Sequence, residues 1–207
     1  LAAHMESRSR TLDFMGERDT SPVELVTRRY PRIAILKPYN TCAQICVYCQ
    51  RNWEIDECMA PQAMSSRERI DRAVQWLREH ERVNEVLVTG GDPMVMPDRA
   101  IARVLDAVSA LDHVYRIRIG TRTPVVLPQR WTDSLADLVA SYNVPGRREI
   151  AVVTHFQHAY EVTPEAMTAV RKLRDRGLGV YNQVVLRVEN SRRFECPKLG
   201  KTLRSIG

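Results

Sequence analysis

Three cysteines lie within one short stretch of the chain, TCAQICVYC. Cys42, Cys46 and Cys49 have the spacing C-x3-C-x2-C. A structural zinc site normally takes four ligands, often as two separated C-x2-C pairs, and adding Cys58 would give an unusual spacing for zinc. A second interpretation is three buried, unreactive cysteines. We favour a third, a [4Fe-4S] cluster with three protein thiolates, which leaves one iron open for a ligand, and we expect Cys58 and Cys196 to be ordinary residues.

Strand and helix patterns alternate five times after residue 27. Alternation of this kind predicts an α/β fold with a parallel sheet covered by helices, either open and doubly wound or rolled into a barrel. The capping-box sequence that begins at Ser65 predicts the start of the first helix, and Thr163 with Pro164 predicts the start of a later one. The predicted strands span 33–36, 85–88, 114–119, 150–153 and 180–186, and the other predicted helices 101–108, 131–139 and 194–206.

Polar segments follow each of these predicted strands. Ligands bind at the carboxyl ends of parallel strands, so these segments are expected to meet at one edge of the sheet. They are TCAQICVYC, TGGDP, IGTR, THFQH and the stretch 188–192.

Composition limits the classes of protein that the chain can represent. It has 207 residues and a formal net charge of +6, and its basic residues are scattered among 25 acidic ones, so we expect no nucleic-acid partner. Five cysteines, an odd number, favour metal or redox chemistry over a disulfide framework. We see neither a membrane-spanning run nor a signal-peptide pattern and predict a cytoplasmic protein without a membrane partner. Residues 1–27 are predicted to be an N-terminal arm, in which His4-Met5 could be a cloning remnant, and 28–207 the core.

The cysteine stretch resembles the signature of radical S-adenosylmethionine (SAM) enzymes, C-x3-C-x-Φ-C, with Tyr48 as the aromatic residue. The VTGGDP turn is similar to the Gly-Gly-Glu motif that binds the SAM amino group. Three further motifs, RIGTRTPVVLPQR, THFQH and NQVV, follow in the order typical of the lysine 2,3-aminomutase family. The resemblance covers roughly residues 28–187.

The resemblance implies a partial (β/α) barrel that uses a [4Fe-4S] cluster, SAM and pyridoxal 5′-phosphate (PLP). Family members generate a 5′-deoxyadenosyl radical and move an amino group from C2 to C3 of a small amino acid. A cellular reductant such as flavodoxin or ferredoxin and a homo-oligomeric state are also expected.

The family roles transfer to matching positions of this chain. The implied cluster ligands are Cys42, Cys46 and Cys49, and the implied SAM-binding residues are Tyr48, Gly90, Gly91, Asp92, Arg122, His155, Asn182 and Gln183. The implied PLP-phosphate residues are Arg29 and Arg32, and the substrate residues are Arg51, for a carboxylate, and Arg192.

Two departures from the family pattern bear on function. Lysine-specific members carry Gly-Val-Asn-Asp after the fifth strand, where this chain has RVENSRR from Arg187, so we expect a substrate other than lysine, although Glu189 could partly compensate. The family's PLP lysine lies beyond the sixth strand and has no counterpart here, so we expect a chain truncated after the fifth β-α unit. Two alternatives stay open: an aminomutase that acts on a protein lysine, and a non-catalytic iron–sulfur or zinc module.

Overall fold

The computed structural model describes residues 13, 15–51, 55, 58–60 and 62–206, so residues 1–12 and 14 of the predicted arm, which include the His4-Met5 position, lie outside the described residues. The strands form one six-stranded sheet flanked by helices. The strands are β1 (Val26–Thr27), β2 (Ile33–Tyr39), β3 (Glu85–Gly90), β4 (Arg116–Gly120), β5 (Glu149–Thr154) and β6 (Gly179–Asn182). The helices are α1 (Arg67–Glu79), α2 (Asp98–Ser109), α3 (Thr123–Val126), α4 (Asp133–Ser141), α5 (Pro164–Asp175) and α6 (Glu195–Ile206).

The sheet follows chain order without a reversal, β1-β2-β3-β4-β5-β6, and β2 to β6 are all parallel. A doubly wound sheet needs a point where the strand order reverses, with helices on both faces. Sequential right-handed crossovers instead place every connecting helix on one face. Neighbouring helices accordingly pack side by side, α1 on α2, α2 on α4 and α4 on α5. The fold is therefore the partial β/α barrel type, as predicted.

The two faces of the sheet differ in chemistry because side chains alternate along each strand. One outward row runs through the register partners Leu36, Val88, Ile119, Val152 and Val180, and its first four members are buried beneath the helices. The opposite face carries charges near the amino ends of the strands. There Arg116 pairs with Glu149 at 2.8 Å, and Arg118 pairs with Glu85.

The helix boundaries follow the local sequence signals, with two corrections. The Thr163 hydroxyl caps α5, Pro164 is its first residue, and Gly177 adopts φ +77° beyond its end. The first helix is capped by Ser66 rather than Ser65. The fourth begins at Asp133 because the Thr132 hydroxyl accepts from Leu135 N, so the predicted start at 131 is wrong. No described helix combines the length and apolar character needed to cross a bilayer.

The two outermost strands of the sheet, β1 and β6, differ from the prediction. β1, which lies in the predicted arm, pairs antiparallel with β2 and covers its edge, so the arm contributes to the sheet. β6 ends at Asn182, although the apolar pattern predicts a strand to residue 186. Side-chain amides replace the ladder beyond that point: Phe156 N donates to Asn182 Oδ1 at 2.7 Å, and Val185 N donates to Gln157 Oε1 at 2.9 Å.

Candidate functional site

The predicted motifs meet at the carboxyl edge of the sheet. The cysteine loop follows β2, the glycine turn ends β3, and the segments after β4, β5 and β6 lie beside them. Hydrogen bonds join four of the five segments directly, because Arg122 after β4 contacts Asp92, Cys46 and the His155 carbonyl. The predicted convergence on one edge is thus confirmed by contacts between these segments.

The cysteine loop presents three free thiols, each partly buried. Cys49 N donates to Cys46 O at 3.0 Å, which closes a turn between the second and third cysteines. Arg51 N donates to Cys49 Sγ at 3.3 Å. Burial, the neighbouring Asp92 carboxylate and the other thiols raise the pKa of Cys42 to about 12. A cation bound at Cys42 would favour its thiolate form.

The glycine turn packs against the backbone that leads into the cysteine loop. Gly91 N donates to Tyr39 O and Asp92 N donates to Thr41 O, both at 2.8 Å. Gly90 has φ +116°, a conformation that glycine adopts without strain. A Cβ on Gly91 would lie 2.3 Å from Thr41 O. The glycines are therefore required for a close approach between two segments of this chain.

The Asp92 carboxylate bonds to the loop that follows β4 instead of facing an open space. Its Oδ1 accepts from Thr121 Oγ1 at 2.7 Å and from Met94 N at 3.0 Å, and its Oδ2 accepts from Arg122 N at 2.7 Å. The side chain is buried. Burial raises the pKa of the Asp92 carboxyl group above its usual value, and these hydrogen bonds offset part of that rise. Since both oxygens have partners, the structure gives Asp92 an internal role in addition to the SAM contact expected from the sequence.

Arg122 is the most connected side chain at this edge. Its guanidinium donates to Gln44 Oε1 at 2.9 Å, to Cys46 Sγ at 3.2 Å and to His155 O at 3.2 Å. It also forms an ion pair with Glu161 at 2.6 Å. One side chain therefore connects the cysteine loop with the segments after β4 and β5.

Tyr48 lies between two cationic side chains. The Arg122 guanidinium carbon is 5.7 Å from the centre of the Tyr48 ring, and that of Arg187 is 5.8 Å away. Both distances are within the range of a cation–π contact. Burial and the Cys46 thiol raise the pKa of the Tyr48 hydroxyl. Tyr48, the aromatic residue that precedes the third cysteine in the signature, thus lies close to the second cysteine, Cys46.

The other implied SAM residues lie on the same edge with different roles. The Asn182 amide bonds to both the N–H and the carbonyl of Phe156 and so holds the segment after β5. Gln183 is exposed, and its backbone bonds to Thr154 and Gln157. His155 is partly buried, and its Nδ1 has no hydrogen-bond partner among the described residues.

Arg51 lies just beyond the third cysteine and is 5% exposed. Its guanidinium forms an ion pair with Glu17, which is 4% exposed and also accepts from Gln50 Nε2 at 2.8 Å. A cavity of about 490 Å³, lined among others by Arg51, Lys37 and Gly90, adjoins this pair. An arginine in this position can hold a carboxylate, and in the structure one of its partners is a carboxylate of the same chain.

The two implied PLP residues lie at the amino ends of the strands, opposite the carboxyl ends where the cysteine loop lies. The Arg32 carbonyl accepts from Asn84 N and Glu85 N at the amino end of β3, and Arg29 follows β1 beside the amino end of β2. The six-residue step from Ile33 to Tyr39 separates the two edges by roughly 20 Å. The structure therefore does not bring these arginines to the cysteine loop. Arg192 is exposed on the segment between β6 and α6.

Sequence reasoning missed two acidic residues of this site, Glu17 and Glu161. Glu161 lies between the THFQH motif and α5, and Glu17 lies in the predicted arm. An acidic residue in a polar stretch carries no periodic signal of burial. The signal that could have found them is charge balance, because the little-exposed arginines Arg51 and Arg122 need acidic partners.

The residues of the loop fit an iron–sulfur cluster. A cluster of this kind takes one thiolate at each ligated iron, and three thiols on one loop supply three. A site for a single metal ion needs several ligands around one point. Among the described residues, those of the cysteine loop included, no three His, Cys, Asp or Glu side chains are arranged in this way. The Arg122 guanidinium donates to Cys46 Sγ and the backbone N–H of Arg51 donates to Cys49 Sγ. Both groups would offset the negative charge of a cluster.

Comparison with known proteins agrees with this geometry. The radical SAM superfamily profile matches residues 36–195. The chain is 46% identical over 204 residues to an uncharacterized KamA family protein of Methanocaldococcus jannaschii, which covers 99% of this chain and 32% of that protein. It is 36% identical over 182 residues to the glutamate 2,3-aminomutase of Clostridioides difficile, covering 88% of this chain and 41% of the relative.

A third relative is the L-lysine 2,3-aminomutase of Methanococcus maripaludis, 36% identical over 174 residues that cover 84% of this chain and 38% of the relative. The chain thus spans about a third to two fifths of the length of these curated relatives. The superfamily match covers more than half of the chain and includes the cysteine loop. The chain belongs to the radical SAM superfamily and, within it, to the KamA-like family of the lysine 2,3-aminomutases.

Proposed function

We propose that this chain is the radical SAM core of a PLP-dependent 2,3-aminomutase that acts on a small α-amino acid other than lysine. The observation that carries the proposal is the contact of Arg122 with Cys46, Asp92 and the His155 carbonyl. It joins three motifs of the aminomutase pattern into one site beside the three thiols. Relatives named as glutamate and lysine 2,3-aminomutases support the same reaction type.

In this proposal Cys42, Cys46 and Cys49 would hold a [4Fe-4S] cluster, and SAM would lie beside the glycine turn. Together these groups would supply the radical chemistry that starts the reaction. The chain itself positions the loop: Gly91 allows the glycine turn and the backbone that leads into the cysteine loop to meet, and the Tyr48 ring lies between the guanidinium groups of Arg122 and Arg187.

The proposal also includes PLP as a cofactor. The names of the relatives suggest it, while Arg29 and Arg32 lie at the amino edge of the sheet. A phosphate bound there would be roughly 20 Å from the cysteine edge. We therefore propose PLP as a cofactor of the reaction without assigning its phosphate to these two arginines, and we propose electron supply by a flavodoxin or ferredoxin in a cytoplasmic setting.

The charge after β6 supports a substrate other than lysine. The stretch 187–193 contains three arginines, Arg187, Arg192 and Arg193, and one acidic residue, Glu189, which pairs with Arg187 at 3.3 Å. An excess of guanidinium groups disfavours a substrate ammonium and favours a carboxylate. The relative named as a glutamate aminomutase is consistent with an acidic substrate.

The test is an anaerobic assay of the reconstituted protein with dithionite, SAM and PLP. We expect 5′-deoxyadenosine to form and a β-amino acid to appear with one member of a panel of α-amino acids. The Cys46→Ala variant should lose both products, whereas the matched Cys58→Ala variant should retain them, because Cys58 is exposed and outside the motif. Zinc without iron in the purified protein, and no cleavage of SAM, would instead identify a non-catalytic metal module.

A further inference from the structure

Arg122 approaches the cysteine loop from the carboxyl end of β4. One Nη1 atom donates to Cys46 Sγ at 3.2 Å and to Gln44 Oε1 at 2.9 Å. The Nε and Nη2 atoms donate to His155 O and Glu161 Oε1. Four of the five guanidinium N–H groups therefore have partners within the described residues.

This position is set by the rest of the site. Asp92 Oδ2 accepts from Arg122 N at 2.7 Å and so fixes the backbone from which the side chain starts. Glu161 holds the far side of the guanidinium at 2.6 Å, and its Oε2 accepts from Gln157 N at 2.7 Å. The side chain is 14% exposed, so water screens its charge only weakly. A rigid, weakly screened cation therefore lies on the sulfur of one predicted cluster ligand.

We propose that Arg122 is a cluster-tuning residue, which raises the reduction potential of the cluster through its N–H···S hydrogen bond to Cys46 and its positive charge. Reduction adds one electron, supplied by dithionite in the experiment below, to a cluster whose sulfur atoms share the added charge. Hydrogen bonds to those sulfurs and nearby positive charge stabilise the reduced state more than the oxidised state. The inference rests on the proposed function in one respect, that these cysteines hold a [4Fe-4S] cluster.

The experiment is a redox titration of the reconstituted wild-type chain and three variants, followed by the EPR signal of the reduced cluster in the absence of SAM. Without SAM, a change in potential does not arise from altered SAM binding. Arg122→Leu removes both the charge and the hydrogen bond. Arg122→Lys keeps a charge but lacks the planar fork that reaches several acceptors at once.

The matched control is Arg130→Leu. Arg130 lies eight residues further along the chain, is also partly buried, and donates to Met94 O and Met96 O; within the described part of the chain it contacts no cysteine. Loss of an arginine of this kind disturbs the same edge of the sheet without touching the sulfur atoms. Iron content and thermal unfolding of each variant show whether the fold and cluster are retained.

We expect Arg122→Leu to lower the equilibrium constant for cluster reduction about tenfold, which corresponds to a shift of about −59 mV for one electron. Arg122→Lys should give a smaller negative shift, and Arg130→Leu none. Equal potentials for the wild type and Arg122→Leu, or an equal shift in Arg130→Leu, would overturn the inference. If Arg122→Leu takes up no cluster, the Arg122→Lys variant decides the question, and a wild-type potential in that variant would overturn the inference. A wild-type chain that takes up no iron would overturn the proposed function as well.

Discussion

Gly91 gives the most direct test of how the sheet positions the cysteine loop. Replacing it with alanine would place a Cβ 2.3 Å from Thr41 O and 2.5 Å from Thr41 N. Ordinary contact begins near 3.4 Å, so the Thr41 backbone or the turn must move by about 1.1 Å. Thr41 is fully buried and immediately precedes Cys42, so the shift reaches the first cysteine.

The magnitude follows from overpacking and from the hydrogen bonds at the contact. Overpacking costs about 1–3 kcal/mol. The bonds from Gly91 N to Tyr39 O and from Asp92 N to Thr41 O must also lengthen, at about 1 kcal/mol each. For a chain of this size each kcal/mol lowers the melting temperature by roughly 2–4 °C. We expect Gly91→Ala to lower the melting temperature of the iron-free chain by several degrees and to reduce iron uptake.

The assay is thermal unfolding by circular dichroism, followed by iron and sulfide analysis after reconstitution. Gly200→Ala is the matched control, because a Cβ at Gly200 meets no atom within 4 Å and the residue lies inside α6. Alanine there should stabilise the helix by about 0.5–1 kcal/mol. If Gly91→Ala melts like the wild type and binds the same amount of iron, the close approach is not required and the reasoning is wrong.

Three further predictions concern stability. Glu17→Ala should cost up to about 3–5 kcal/mol because it removes one carboxylate partner of the buried Arg51 guanidinium, and the double variant with Arg51→Leu should be more stable than the single one; equal unfolding midpoints of wild type and Glu17→Ala would contradict this. Thr163→Ala should cost about 1 kcal/mol by removing the cap of α5, whereas Thr168→Ala within the same helix should cost less, as denaturant titration can measure. Burial, and then Arg122, lower the pKa of His155, so the folded chain resists its protonation and stability should fall as the pH drops below about 6.5; an unchanged pH slope in the His155→Gln variant would refute this.

The sequence predicts most of the fold because its signals are local. Apolar runs give the five parallel strands, and Thr163 with Pro164 and Gly177 gives both ends of α5. The length of β6 could not be predicted in this way, because the competition between its backbone ladder and the Asn182 and Gln157 side chains depends on the neighbouring strand. β1 was missed because two residues are too few to show a period.

The site was predicted in its location more than in its contacts. The carboxyl ends of parallel strands meet at one edge, so the cysteines and the glycine turn had to be neighbours. Which side chains would then pair depends on packing. The bonds of Asp92 to the loop after β4 and the burial of Glu17 against Arg51 arise between segments far apart in sequence, where residue spacing gives no information.

The central claim is that the three cysteines hold a cluster with one iron open to SAM. The measurement that tests it most directly is the EPR spectrum of the anaerobically reconstituted and dithionite-reduced chain, recorded with and without SAM. We predict about four irons per chain and a cluster signal that changes when SAM is added, because SAM bound to the open iron would change the ligands of that iron. A cluster signal that is identical with and without SAM, or bound zinc in place of iron, would contradict the account.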